Sequence, residues 1–109
     1  MTAWVEVCPV EALVPNRGVA ALLGERQVAV FLVSPGDEVL AIDNLDPISG
    51  AAVLSRGIVG SAGDVLTVAS PVFKQRFDLR SGTCLDEEGV AVATYPARVV
   101  DGAVQVSTG

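Results

Sequence analysis

Histidine does not occur in this chain. Without imidazole there can be no Ser/His/Asp triad, no Cys/His nucleophile pair and no His-ligated zinc, iron or copper site, so many enzyme classes fall away together. Cysteine is nearly as scarce. Cys8 and Cys84 are too few for a disulfide framework, and they read as ordinary thiols that behave as small hydrophobes. Basic residues are also short: seven Lys and Arg face thirteen Asp and Glu, giving a net charge of −6. That balance opposes the phosphate neutralisation on which nonspecific nucleic-acid binding depends. Half of the residues are hydrophobic, yet Gly, Pro, Asp and Ser interrupt them well before the roughly 18 apolar residues of a membrane span. The expectation is a soluble protein with neither nucleic acid nor membrane as a partner. The first basic residue is Arg17, and Glu6 and Glu11 break the opening segment, so the pattern of a signal peptide is missing and a cytoplasmic location is expected.

What the sequence does contain is regular punctuation. Turn signals stand at "NRG" 16–18, "GER" 24–26, "SPGDE" 34–38, "DPISG" 46–50, "SAGD" 61–64, "RSG" 80–82 and "DG" 101–102. Between them lie "WVEV", "VAVFLV", "VLAI", "VLTVA" and "ARVV", runs whose β-branched side chains lose little when held extended. Short strands at such spacing predict an all-β sandwich or barrel of antiparallel strands. The clearest hairpin joins "YPARVV" to "AVQVS" through Asp101-Gly102, a dipeptide suited to the positive φ values of a type I′ turn. The segment "VEALVPNRGVAALLGERQ" mixes helix-favouring Ala and Leu with Pro15 and Gly18, and reads as loop followed by strand. With 109 residues and no linker, repeat or low-complexity tract, the chain reads as one domain over 1–109.

Two segments share a plan. "AIDNLDPISGAAVLSRG" (41–57) and "ASPVFKQRFDLRSGTC" (69–84) each place an X-Pro step, Asp46-Pro47 and Ser70-Pro71, directly after a predicted strand. Taken singly, a "DP" step is an ordinary turn and "FDLRSG" an ordinary strand end. Taken together, with Phe77, Asp78, Leu79 and Gly82 after the second step and "AIDN" and "YPARVVDG" as framing, they resemble the Rieske family over about residues 4–106. In that family two loops at one tip of a small β domain hold a two-iron cluster through Cys-Pro-His and Cys-Pro-x-His units. The resemblance puts the four ligand positions at Asp46, Ile48, Ser70 and Phe73. A Rieske centre needs two thiolates on one iron and two imidazoles on the other. Ile and Phe offer no donor, and a carboxylate with a hydroxyl is a poor substitute for two soft sulfurs. The expectation is a Rieske-like domain without an iron–sulfur cluster.

Such a ligand-less domain resembles the small-subunit family of bacterial NADH-dependent assimilatory nitrite reductases. That resemblance implies a noncatalytic small subunit, no cofactor in this chain, and a large partner subunit carrying siroheme, an iron–sulfur cluster, FAD and the NADH site. The alternative is a stand-alone Rieske-like binding module serving another reductase or oxygenase. Catalysis by the chain alone is the weakest reading, because Asp43, Asp46 and Asp78 are scattered, and Asp43 and Asp78 are explained as turn or strand-end residues. For the tip itself two roles are open. Ile48 and Phe73 could pack together and replace the lost metal crosslink, with Asp46 and Ser70 accepting hydrogen bonds from loop amides. Or Ile48, Val72 and Phe73, flanked by Lys74, Gln75 and Arg76, could remain exposed as a partner-binding spot. A mixed case is expected, with Ile48 buried and Phe73 partly available.

Overall fold

The computed structural model of the chain describes residues 3–33 and 38–107. Within them the apolar runs become ten strands: β1 (Trp4–Pro9), β2 (Gly18–Leu23), β3 (Arg26–Val33), β4 (Glu38–Asp43), β5 (Ile58–Ala62), β6 (Val65–Ala69), β7 (Arg76–Asp78), β8 (Thr94–Tyr95), β9 (Ala97–Val100) and β10 (Ala103–Ser107). All pair antiparallel, as expected, in three sheets ordered β1-β10-β9, β2-β3-β4-β8 and β5-β6-β7. The segment read as loop then strand contains a single 3-10 turn, Val10–Ala12, before β2 begins. Of the turn expected at 34–38, residues 34–37 lie outside the described residues, and Glu38 opens β4. No helix among the described residues is long and apolar enough to cross a membrane.

The β9–β10 hairpin forms as its sequence demands. Asp101 and Gly102 take φ values of 51° and 77°, the paired left-handed geometry of a type I′ turn. Chain register then aligns Val100 with Ala103 and Ala97 with Val106.

Strand β3 explains why "VAVFLV" is apolar without interruption. Side chains on a strand alternate between faces, and here both faces are covered. Val28, Val30 and Leu32 enter one core with Leu23, Tyr95, Val104 and Val106. Ala29, Phe31 and Val33 enter another with Ile42, Leu54, Val68, Phe77 and Leu79. The four-stranded sheet is therefore the middle layer, and β3 is its buried spine. The second core lies beneath the two X-Pro loops.

A ligand-free tip closed by a buried carboxylate

The first loop leaves β4 at Asn44, which is 2% exposed. Its side chain spans the loop: Oδ1 accepts the Ser55 amide at 2.7 Å, and Nδ2 donates to Gln27 Oε1 and to the Ala52 carbonyl, each at 3.3 Å. Its backbone carbonyl also accepts the Leu54 amide at 3.1 Å. Asn44 thus returns the chain to the core. Sequence reasoning passed over it, although "AIDN" framed the loop and a polar residue closing an apolar strand was the available signal.

Beyond Asn44 the two loops repeat one backbone pattern. Asp46 N donates to Ala51 O at 2.8 Å and Ser70 N to Gln75 O at 2.9 Å. Gly50 N returns to Asp46 O at 2.8 Å, and Lys74 N to Ser70 O at 3.0 Å. Both return residues are left-handed, Gly50 at φ 77° and Lys74 at φ 66°. In each loop the side chain before proline accepts the amide two residues on: Asp46 Oδ1 from Ile48 at 2.8 Å, Ser70 Oγ from Val72 at 3.3 Å. Asp46 Oδ1 also accepts the Ser49 amide at 3.3 Å.

The loops are tied together at those same two residues. The Ser70 hydroxyl donates to Asp46 Oδ2 at 2.5 Å, and both residues are 0% exposed. A hydroxyl–carboxylate bond this short is charge-assisted, and bonds to charged groups stabilise by about 1.5–3 kcal/mol. Burial opposes the charge on Asp46, but the bonds from Ser70, the Ile48 amide and Ser49 outweigh it and hold the carboxyl below its ordinary value of 3.8. The carboxylate is stable where it stands because every oxygen is satisfied.

Of the two roles open to the tip, packing of Ile48 on Phe73 in place of the metal does not form, and the arrangement is close to the mixed case expected. Ile48 is half-buried against the second core, whereas Phe73 belongs to neither core and is 57% exposed. The crosslink runs between the polar pair instead. The reason is geometric: the residues before the prolines face each other across the tip, and a carboxylate with a hydroxyl can bond there directly. Val72 is exposed beside Phe73. Lys74 is exposed too, with Nζ donating to the Pro71 carbonyl at 3.2 Å. Arg76 is engaged. Its guanidinium makes a two-pronged contact with Asp86, 3.0 Å from Nε and 2.7 Å from Nη2, and its amide donates to the same carboxylate at 2.8 Å. These bonds hold the Asp86 carboxyl down at about 2.

The motif "FDLRSG" is a strand end that locks the second loop to the core. Phe77 and Leu79 point into the core with 0% and 1% exposure. Asp78 Oδ1 accepts the Arg80 and Ser81 amides at 2.8 and 3.2 Å, as a strand-end residue should. Gly82 sits at φ 81°, where a Cβ would lie 2.1 Å from the Val92 carbonyl oxygen, so only glycine fits. Arg80 reaches Glu38 on β4 at 2.6 Å. Asp43, at the end of β4, accepts the Leu45 amide at 3.2 Å. Cys8 is half-buried against the first core, where burial pushes its thiol up from the ordinary value of 9.0. Cys84 is buried in the second core.

The residues at the tip do not fit a two-iron cluster. Ile48 and Phe73 carry no donor atom, and the Asp46 and Ser70 oxygens are already used by each other and by loop amides. Among the described residues, no group of three or more His, Cys, Asp and Glu is placed to hold a metal ion.

Comparison with known proteins agrees with this fold. Residues 3–107 match the family model of the Rieske-like [2Fe-2S] domain. The nitrite reductase (NADH) small subunit of Escherichia coli K12 is 45% identical over 106 residues, 97% of this chain and 98% of that protein. The NMR structure of the E. coli protein NirD superposes with a TM-score of 0.92 at 45% identity, covering 100% of this chain and 99% of that one. A stretch of the nitrite reductase [NAD(P)H] large subunit of Klebsiella oxytoca is 46% identical over 103 residues, 94% of this chain but only 11% of that much longer protein. The Rieske-like fold, the full-length identity and the altered ligand positions lead to one assignment: the chain belongs to the Rieske-like family and, within it, to the small subunits of NADH-dependent nitrite reductase.

Proposed function

We propose that this chain is a noncatalytic subunit that docks on the large subunit of an NADH-dependent nitrite reductase and supports reduction of nitrite to ammonium there. The observation that carries the reading is the match to a segment of the K. oxytoca large subunit. A stretch like this chain occurs within that large subunit, and in this reading a separate small subunit takes up the corresponding place by association. In this reading siroheme, the iron–sulfur cluster, FAD and the NADH site belong to the large subunit, and the complex is cytoplasmic. Electron transfer through this chain is disfavoured, since Ile48 and Phe73 offer no donor atom and the Asp46 and Ser70 oxygens are taken by each other and by loop amides.

The docking element is the former cluster tip. Phe73 at 57% and Val72 at 43% exposure form an apolar spot on the second loop, followed directly by exposed Lys74, while half-buried Ile48 stands on the first loop. Aromatic anchors in apolar spots with polar rims carry much of the energy of protein interfaces. Arg76, held by Asp86, supports the loop from below more than it offers a free charge. The rigid polar closure beneath keeps the spot in one shape, which lowers the entropy cost of association. The test is coexpression with the large subunit, followed by copurification and an NADH-dependent nitrite assay with and without this chain. Copurification with altered turnover or stability of the large subunit is expected. A large subunit that neither retains the chain nor responds to it would leave the alternative, a stand-alone binding module for another reductase or oxygenase.

A further inference from the structure

A groove of about 430 Å³ runs between the start of β2 and the start of β5, and neither Val72 nor Phe73 is among its lining residues. Its walls include Arg17 and Gly18 on one side and Ser55, Arg56, Ile58 and Val59 on the other. The walls stand close because Gly18 has no side chain; a Cβ there would lie 2.4 Å from the Ser55 carbonyl oxygen. Three features of this groove are unusual. First, Arg17 and Arg56 are, among the described residues, the basic side chains with no hydrogen bond, ion pair or ring contact. Arg26 bonds Tyr95, Arg76 pairs with Asp86, Arg80 with Glu38, Arg98 lies over Trp4, and Lys74 bonds Pro71. On a chain of net charge −6, two unpaired cations in one groove are not the default.

Second, β5 and β2 are both outer strands of their sheets. An outer strand offers unpaired N–H and C=O groups, and proteins normally guard it with charge, proline or a bulge. Here "IVGSA" and "GVAALL" contain no charged residue and no proline, and the β5–β6 register runs unbroken from Ile58 to Ala62. Third, Ile58 is 72% exposed at the mouth of the groove.

We infer that the β5 edge receives an extended, carboxylate-bearing segment of the large subunit, added as a further strand. Main-chain bonds to β5 supply affinity, Ile58 supplies an apolar contact, and Arg17 and Arg56 pair with acidic side chains, the combination used in β-strand addition. Charge complementarity decides the occupant. A second copy related by a two-fold axis would bring the same arginines to both sides of the contact, whereas an acidic segment neutralises them. The inference rests on the nitrite reductase reading and adds a second contact beside the tip.

The experiment uses the full chain and the purified large subunit. Hydrogen exchange is followed at the β5 amides with and without the large subunit, and affinity is measured at low and high salt for wild type and for the double variant Arg17→Glu/Arg56→Glu. Both positions are exposed, so an unchanged melting temperature is expected and is checked first. The expected result is slowed exchange at residues 58–62 in the complex and affinity reduced at least about 10-fold in the variant at low salt, with a weaker salt dependence than wild type. Wild-type binding with unprotected β5 amides and an unaffected variant overturns the inference while leaving the nitrite reductase reading intact. A concentration-dependent dimer that protects β5 without the large subunit also overturns it, in favour of a second copy. If wild type fails to bind the large subunit, the parent reading fails and this one with it.

Discussion

Asp46 shows how one residue can replace a metal's mechanical role while abandoning its chemistry. It accepts the Ser70 hydroxyl and the Ile48 and Ser49 amides while fully buried. Asp46→Ala strands those donors, and a loss of about 2–3 kcal/mol is expected in urea unfolding. The pH dependence follows from the lowered folded-state pKa. A depressed carboxyl stabilises the fold above its unfolded value, near 3.8, and the contribution disappears as pH falls through the lower folded value. Stability should therefore fall below about pH 4, and less steeply in Asp46→Asn; equal slopes in the two proteins would count against the closure. Phe73, by contrast, is exposed, so Phe73→Ala should alter stability by no more than about 0.5 kcal/mol. Cys8 and Cys84 serve different cores; replacing both by Ser should leave turnover of the complex within a few-fold, and its abolition in a folded double variant would assign them a role. At this scale the sequence revealed that Asp46 and Ser70 would accept loop amides, because the residue before proline is held extended. It did not reveal their mutual bond, which joins positions 24 residues apart and requires the tertiary approach of two loops. Nor did it reveal that Arg76 is taken by Asp86, since "LDEEG" has no spacing relation to the second loop.

At the scale of elements, the two X-Pro loops and "FDLRSG" are rigid because their backbone groups are satisfied by the loops themselves and by the strands below. Gly82 is the most constrained point. Gly82→Ala would combine a left-handed backbone with a clash against the Val92 carbonyl, and a loss of roughly 2–4 kcal/mol is expected. Thermal unfolding checks it: a melting temperature equal to wild type would mean that the turn has another conformation available. The strands were legible where burial and propensity agreed, as in "VLTVA" (β6) and "ARVV" (β9), and the Asp101-Gly102 turn was legible from its φ requirement alone. Strand β5 was not singled out, and β7 and β8 were touched only through the strand end of "FDLRSG" and the Tyr95 of "YPARVV". β7 and β8 are three and two residues long, and "IVGSA" mixes small and apolar residues; each is defined by its partner more than by its own composition.

At the scale of the molecule, a middle sheet buried on both faces supports a tip that is closed by its own polar groups and lacks the donors of a two-iron centre. The core arises from the Val-rich strands, and assembly without metal is the expectation that follows. Protein purified without oxygen should accordingly show no visible iron–sulfur absorbance and no stoichiometric iron or acid-labile sulfide; finding both would end the reading of the tip as ligand-free. The family assignment was legible in the order of the two loops and their framing. At the tip, the display of Phe73 over a more buried Ile48 was expected, whereas the direct Asp46–Ser70 bond that closes it emerged only from the folded structure. The most direct test of the whole account is the affinity of Phe73→Ala for the purified large subunit, measured against wild type at equal melting temperature. The account predicts binding weakened by at least about 2 kcal/mol, the loss typical of an exposed aromatic anchor, with nitrite turnover recovered when the variant is added to saturation. Wild-type affinity in the folded variant would contradict it.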